Sequence, residues 1–138
     1  MSRAEEEENR RLLRARDAID RAYDQPLDVP ALARIALASE AHFTRRFRAV
    51  FGETPGRYLQ RRRIERAMAL LRTTDRTVGE ICVEVGFASV ATFTRSFREI
   101  VGETPAAFRR SGAGQAPAAV PTCFEKAWLR PSSATPRS

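Results

Sequence analysis

Residues 38–55 read ASEAHFTRRFRAVFGETP, and residues 88–105 read ASVATFTRSFREIVGETP. Twelve of these eighteen positions are identical at an offset of fifty. Unrelated helices do not match to that extent by chance. Two copies are too few for a solenoid array, so the chain holds two similar units. Each copy carries its own helix punctuation. Ser39 and Ser89 are good N-caps. Phe43, Phe47, Val50 and Phe51 recur at i, i+4, i+7 and i+8, as do Phe93, Phe97, Ile100 and Val101, which puts each set on one buried stripe of a helix. Gly52 and Gly102 stand where such a helix stops. Thr54-Pro55 and Thr104-Pro105 read as an N-cap followed by proline at the first helical position, so a new helix begins at once.

A short helix precedes each copy. Asp28 can cap one over residues 29–36, and Thr77 with Glu80 forms a capping box that opens another over 78–85. Between the units lies a longer helix over 55–71, with Leu59, Arg63, Ala67 and Leu70 at helical spacing and a length of about 25 Å. A first helix over about 6–24 comes before everything and ends at Gln25-Pro26. No segment alternates at period two, so no strands are expected. The expected fold is all-α: two helix-turn-helix subdomains, about 17–54 and 77–110, joined by the long linker helix. Residues 1–16 form an acidic start to the first helix. Residues 111–138, rich in Gly, Ala, Pro and Ser, read as a loose tail. Within it Phe124 and Trp128 are four apart; docking on the body, binding a partner and a weakly ordered tail all stay open for that segment.

Two short helices joined by a tight turn, the second showing a polar face, describe a helix-turn-helix. In the second unit the turn is explicit at residues 85–89, where Gly86 can take the left-handed conformation. The first unit has Leu37 where Gly86 aligns, and one residue fewer before its serine. Leu37 must then accept a backbone cost, or the turn is built differently. Opposite the aromatic stripes, the first helix carries Ala41, His42, Thr44, Arg45 and Arg48, and the second Ala91, Thr92, Thr94, Arg95 and Arg98. Arginine can fork onto guanine, and threonine can hydrogen-bond a base or touch a thymine methyl. Arg48 and Arg98, a turn further on, suit phosphates. Any one of these arginines alone reads best as a solvated charge. Packing explains repeated phenylalanines, however, and does not explain repeated outward Thr and Arg.

Composition agrees. The 138 residues carry a formal charge of +7, and Lys126 is the single lysine among 24 basic residues. Arginine favours planar, bidentate partners such as phosphates and guanine edges, and a basic chain is drawn to polyanions. The arginine bias alone carries little weight, since a GC-rich genome also produces it. No stretch approaches the roughly 20 apolar residues of a membrane span, and the N-terminus lacks the apolar region of a secretory signal. Cys82 and Cys123 make neither a metal site nor a disulfide framework. His42, the single histidine, has no companion ligands. No nucleophile–base pair, phosphate loop or paired carboxylates are present, so no enzyme and no cofactor are expected. Arg61, Arg62, Arg63 and Arg66 crowd the linker helix. Arg63, on its inner stripe, is expected to be structural and the others to lie near a DNA backbone, the plain alternative being solubilising charge with an Arg62–Glu65 ion pair.

The residues Leu32-Ala33, Ser39, Phe43, Arg45, Phe47, Gly52-Glu53-Thr54-Pro55, Tyr58-Leu59, Arg63-Ile64, Ala67 and Leu70-Leu71, followed by Ile81, Val85-Gly86-Phe87, Phe93, Phe97-Arg98, Gly102-Glu103-Thr104-Pro105 and Phe108-Arg109, resemble the DNA-binding domain of the AraC/XylS family from about residue 17 to 110. The resemblance implies seven helices, with two recognition helices entering successive major-groove segments about one turn of B-DNA, roughly 34 Å, apart. It implies base-reading positions at Ala41, His42, Thr44 and Arg45, then Val90, Ala91, Thr92, Thr94 and Arg95. Ala41, Val90 and Ala91 would read by van der Waals contact, leaving Arg45 and Arg95 the main determinants of specificity. The chain has no room for the effector domain that many members carry and so resembles the compact members, which implies a monomer controlled by its own abundance that activates transcription by touching RNA polymerase. The lack of a span or secretory signal points to a cytoplasmic, nucleoid-associated protein. A fragment of a larger effector-responsive regulator and a protein-interaction module are the alternatives. An alkyl-transfer repair enzyme would need a reactive cysteine in a dedicated extra domain, and Cys123 in a proline-bounded tail is a poor candidate.

Overall fold

The computed structural model describes residues 2–111; Cys123, Phe124 and Trp128 lie outside them. Among the described residues there are seven helices and no strand: α1 Arg3–Ala22, α2 Val29–Ile35, α3 Glu40–Phe51, α4 Pro55–Thr73, α5 Val78–Glu84, α6 Val90–Val101 and α7 Pro105–Arg110. The N-caps fall on Asp28, Ser39, Thr54, Thr77, Ser89 and Thr104. Helix α1 starts three residues earlier than its apolar periodicity indicates. Ser2 accepts from the Glu5 amide while the Glu5 carboxylate accepts from the Ser2 amide, a capping box that satisfies two otherwise orphaned donors. At the other end of the linker helix, the hydroxyls of Thr73 and Thr74 donate to the carbonyls of Ala69 and Leu70 and carry α4 past residue 71.

Two hydrophobic cores result, and α4 belongs to both. Leu12, Ala15 and Ile19 of α1 pack with Leu32 and Ala33 of α2, the α3 phenylalanines, and Tyr58 and Leu59 from the start of α4. From Ile64 onward α4 turns its buried residues to the second core, with Ile81, Cys82, Val85, Phe87, Phe93, Phe97 and Phe108. The aromatic stripes stack edge to face, which complements the ring quadrupoles. Phe47 meets Phe43 at 5.6 Å and Tyr58 at 5.9 Å, as Phe97 meets Phe93 at 5.9 Å and Phe108 at 5.6 Å. Burial, with the hydrogen bond that Tyr58 donates to Asp20 at 2.7 Å, pushes the Tyr58 phenol up from its ordinary pKa. Cys82 is buried in the second core, and that burial raises its thiol.

Both helix-turn-helix turns close in the same way. The amides of Ala38 and Leu37 donate to the carbonyls of Ala33 and Arg34; the amides of Phe87 and Gly86 donate to those of Cys82 and Val83. This paired pattern is the Schellman motif, which needs a left-handed residue just past the helix end. Gly86 supplies it at φ +100°, and Leu37 supplies it at φ +57°. Leucine in that region costs roughly 1–2 kcal/mol. With 71% of its surface exposed, Leu37 recovers little of this by packing. Leu37→Gly is therefore expected to leave the fold intact and to raise stability by up to about 1 kcal/mol after the chain-entropy cost of glycine. A urea midpoint that falls would show that Leu37 makes a compensating contact.

The arginine-rich stretch of α4 is largely structural. Arg61 is buried, its side chain 7% exposed, and pairs with Glu53 at 2.7 Å and Glu65 at 2.9 Å while lying over the Tyr58 ring. Arg62 pairs with Asp20 at 3.1 Å and Glu65 at 2.8 Å. Arg63 donates to the carbonyls of Tyr23 at 2.6 Å and Gln25 at 2.9 Å and covers the Phe87 ring, so it ties the end of the first subdomain's opening helix to the second subdomain's turn. The expectation that the neighbours of Arg63 lie near a DNA backbone is thus corrected for Arg61 and Arg62, whose guanidinium groups are held by carboxylates. Arg66 is exposed.

Candidate nucleic-acid interface

Each recognition helix starts from a serine that fixes its first turn: Ser39 accepts from the His42 amide and Ser89 from the Thr92 amide. The buried phenylalanines then set the rotation of the helix about its axis, which decides what faces outward. Ala41, Arg45 and Arg48 of α3 are exposed, with His42 and Thr44 half-buried at the edges. In α6 Ala91, Arg95 and Arg98 are exposed, with Thr92 and Thr94 half-buried. Position by position the two helices show the same sequence of exposure from 41 to 50 and from 91 to 100, save that half-buried Arg46 corresponds to buried Ser96.

The outward arginines differ from those of α4. Among the described residues, Arg45, Arg48, Arg95 and Arg98 have no carboxylate partner and no hydrogen-bond acceptor for their guanidinium groups. On α6, Ala91, Thr94, Arg95, Arg98 and Glu99 line a shallow open depression. Val90 is half-exposed at the head of the helix, and Val83 of α5 is largely exposed. The surface combines forked cations, short hydroxyls and small apolar groups, the set that can address base edges, thymine methyls and phosphates.

His42 is held otherwise. Its Nε2 lies 2.5 Å from a carboxylate oxygen of Glu8 on α1, and the other oxygen of Glu8 accepts from Arg46 Nε at 3.0 Å. These two hydrogen bonds, led by that of His42, hold the Glu8 carboxyl below the usual carboxylate range. Sequence reasoning missed both Glu8 and Arg46, because nothing local in a run of four glutamates marks the one that reaches a helix 34 residues away.

Among the described residues there is no group of three or more His, Cys, Asp or Glu side chains able to hold a metal ion. No helix among them is long and apolar enough to cross a membrane.

Comparison with known proteins agrees with this architecture. A helix-turn-helix domain family matches residues 32–111. The regulatory protein SoxS of Salmonella typhimurium is 37% identical over 69 residues, 50% of this chain and 64% of SoxS. The chain thus spans somewhat less than two thirds of the length of that relative. Among solved structures, the DNA-binding domain of the global transcriptional factor AdpA, in complex with a target DNA, aligns with a TM-score of 0.69 and 33% identity over 77% of this chain and 96% of that domain. The C-terminal domain of AraT, a response regulator from Geobacillus stearothermophilus, aligns with a TM-score of 0.69 and 26% identity over 73% of this chain and 84% of that one. With the tandem turns, the shared linker helix and the matched stretch covering more than half its length, the chain belongs to the AraC-type helix-turn-helix family.

Proposed function

We propose that this protein is a sequence-specific regulator of transcription that reads duplex DNA by placing α3 and α6 in successive segments of the major groove. The observation that carries this reading is the repeated outward face: two helices with the same order of exposure, each presenting two arginines that no carboxylate among the described residues holds. In this reading Arg45 and Arg95 fork onto guanines, and Thr44, Thr92 and Thr94 bond bases or thymine methyls. Ala41, Val90 and Ala91 make apolar contacts, His42 lies at the groove edge, and Arg48 and Arg98 hold phosphates. The protein acts as a monomer on chromosomal DNA in the cytoplasm and activates transcription through contact with RNA polymerase. It is not an enzyme.

Salt dependence tests the DNA reading. Each neutralised phosphate contributes a slope of about −0.9 to log K against log salt. The two phosphate contacts of Arg48 and Arg98 therefore weaken duplex binding by about tenfold between roughly 50 and 200 mM salt. Fluorescence anisotropy with a labelled duplex should show that fall. Binding that is weak at low salt and indifferent to salt would contradict a role on DNA.

A further inference from the structure

Residues 42 and 46 of α3 are one helical turn apart, on the flank between the aromatic stripe and the outward face. That flank is turned toward α1, where Glu8 meets both side chains through its two carboxylate oxygens. The second unit has no charge at the matching positions. Thr92 is hydrogen-bonded to the Ser89 hydroxyl, and Ser96 is buried. The aromatic stripe of α6 packs without any such cluster, so the repeat does not need these side chains there. Beside them Arg11, which shares a groove with Glu8, His42 and Arg46, pairs with Glu7 at 3.5 Å.

We propose that Glu8 is a specificity-determining residue: it engages His42 and Arg46 at the rim of the first recognition helix and withholds both from indiscriminate contact with phosphates. This rests on the reading of α3 as a DNA-reading helix. Non-specific affinity comes almost wholly from neutralised phosphates and released counterions. A cation already paired with a carboxylate releases fewer of them, and a phosphate that displaced Glu8 would sit beside its negative charge. When Arg45 is seated on a base, the register of α3 is fixed and the Glu8 cluster can stay closed. On random sequence nothing fixes the register, and a freed Arg46 would add directly to binding.

The test compares a random-sequence duplex with a duplex selected by the wild-type protein, across a salt series, for the wild type, Glu8→Gln, Arg46→Gln and the double variant. Glu8→Gln should bind the random duplex about 3- to 10-fold more tightly and steepen its salt slope by about one contact. It should tighten the selected duplex less, so that discrimination falls. Arg46→Gln alone should leave random binding close to wild type, and in the double variant it should reverse most of the gain. Unchanged affinity and slope in Glu8→Gln would overturn the proposal. So would a loss in Arg46→Gln as large as that in Arg48→Gln, since Arg46 would then already be free. A wild-type protein that selects no sequence refutes the underlying reading, an outcome distinct from wild-type selectivity that Glu8→Gln leaves untouched.

Discussion

Gly86→Ala is expected to destabilise the protein by about 2–5 kcal/mol, far more than the same change at Gly102. Both glycines hold left-handed backbone, at φ +100° and +103°, so alanine incurs a conformational cost of roughly 1–2 kcal/mol at either site. Their surroundings differ. A Cβ on Gly102 would meet nothing within 4 Å, whereas on Gly86 it would lie 2.9 Å from the Tyr23 carbonyl oxygen, 3.0 Å from Arg63 Nε and 3.1 Å from the Asp24 Cα. Two of these are main-chain atoms and cannot rotate away, so the first subdomain's α1–α2 turn must move off the second subdomain's turn. The Tyr23 carbonyl is also the acceptor for Arg63, so the movement loosens a second tie. Overpacking of this kind adds about 1–3 kcal/mol. In a folded body of this size, each kcal/mol moves the melting temperature by several degrees. Thermal melts of Gly86→Ala and Gly102→Ala should therefore separate by about 10 °C. Equal melting temperatures would mean that the contact between the subdomains gives way freely and does not set their relative placement.

The second large effect concerns binding. Arg45→Ala and Arg95→Ala should each weaken binding to a cognate duplex by about 1–3 kcal/mol, roughly 5- to 150-fold, with little change in stability. The stability forecast follows from the structure, because both side chains are exposed and no carboxylate in the described residues pairs with them. Losses in the two subdomains should add, since the sites share no partners. Arg48→Ala and Arg98→Ala should instead weaken cognate and random duplexes alike and lower the salt slope by about one contact each. If Arg95→Ala behaves as Arg98→Ala does, Arg95 holds a phosphate and the specificity of α6 lies with its threonines and Val90.

The local features of the fold could be read in the sequence. The repeat places both recognition helices, the serine and threonine caps start them, and the phenylalanine spacing fixes which residues turn outward, because caps and periodicity act within a turn or two of chain. Leu37 was legible as a problem, and its left-handed φ is the answer the turn geometry demands. The opening capping box was legible too, as Ser2 and Glu5 three residues apart, but the apolar pattern that directed the reading begins only later in α1. What could not be read is which residues partner across the fold. Arg61, Arg62 and Arg63 are adjacent in sequence. Yet one is buried between Glu53 and Glu65, one reaches Asp20, and one is spent on the carbonyls of Tyr23 and Gln25. Helical spacing assigns a face to each; the packing of α1 against α4 assigns the partner. The same holds for Glu8, whose partners lie on α3.

In the proposed function the two recognition helices each read a separate segment of one duplex. Selection of bound duplexes from a random DNA pool, run with the wild type, Arg45→Ala and Arg95→Ala, tests it most directly. Two short motifs centred about one helical turn apart, roughly 10 base pairs, are expected, with each substitution relaxing one motif and sparing the other. A single motif that both substitutions degrade equally, or no enriched sequence at all, would contradict it.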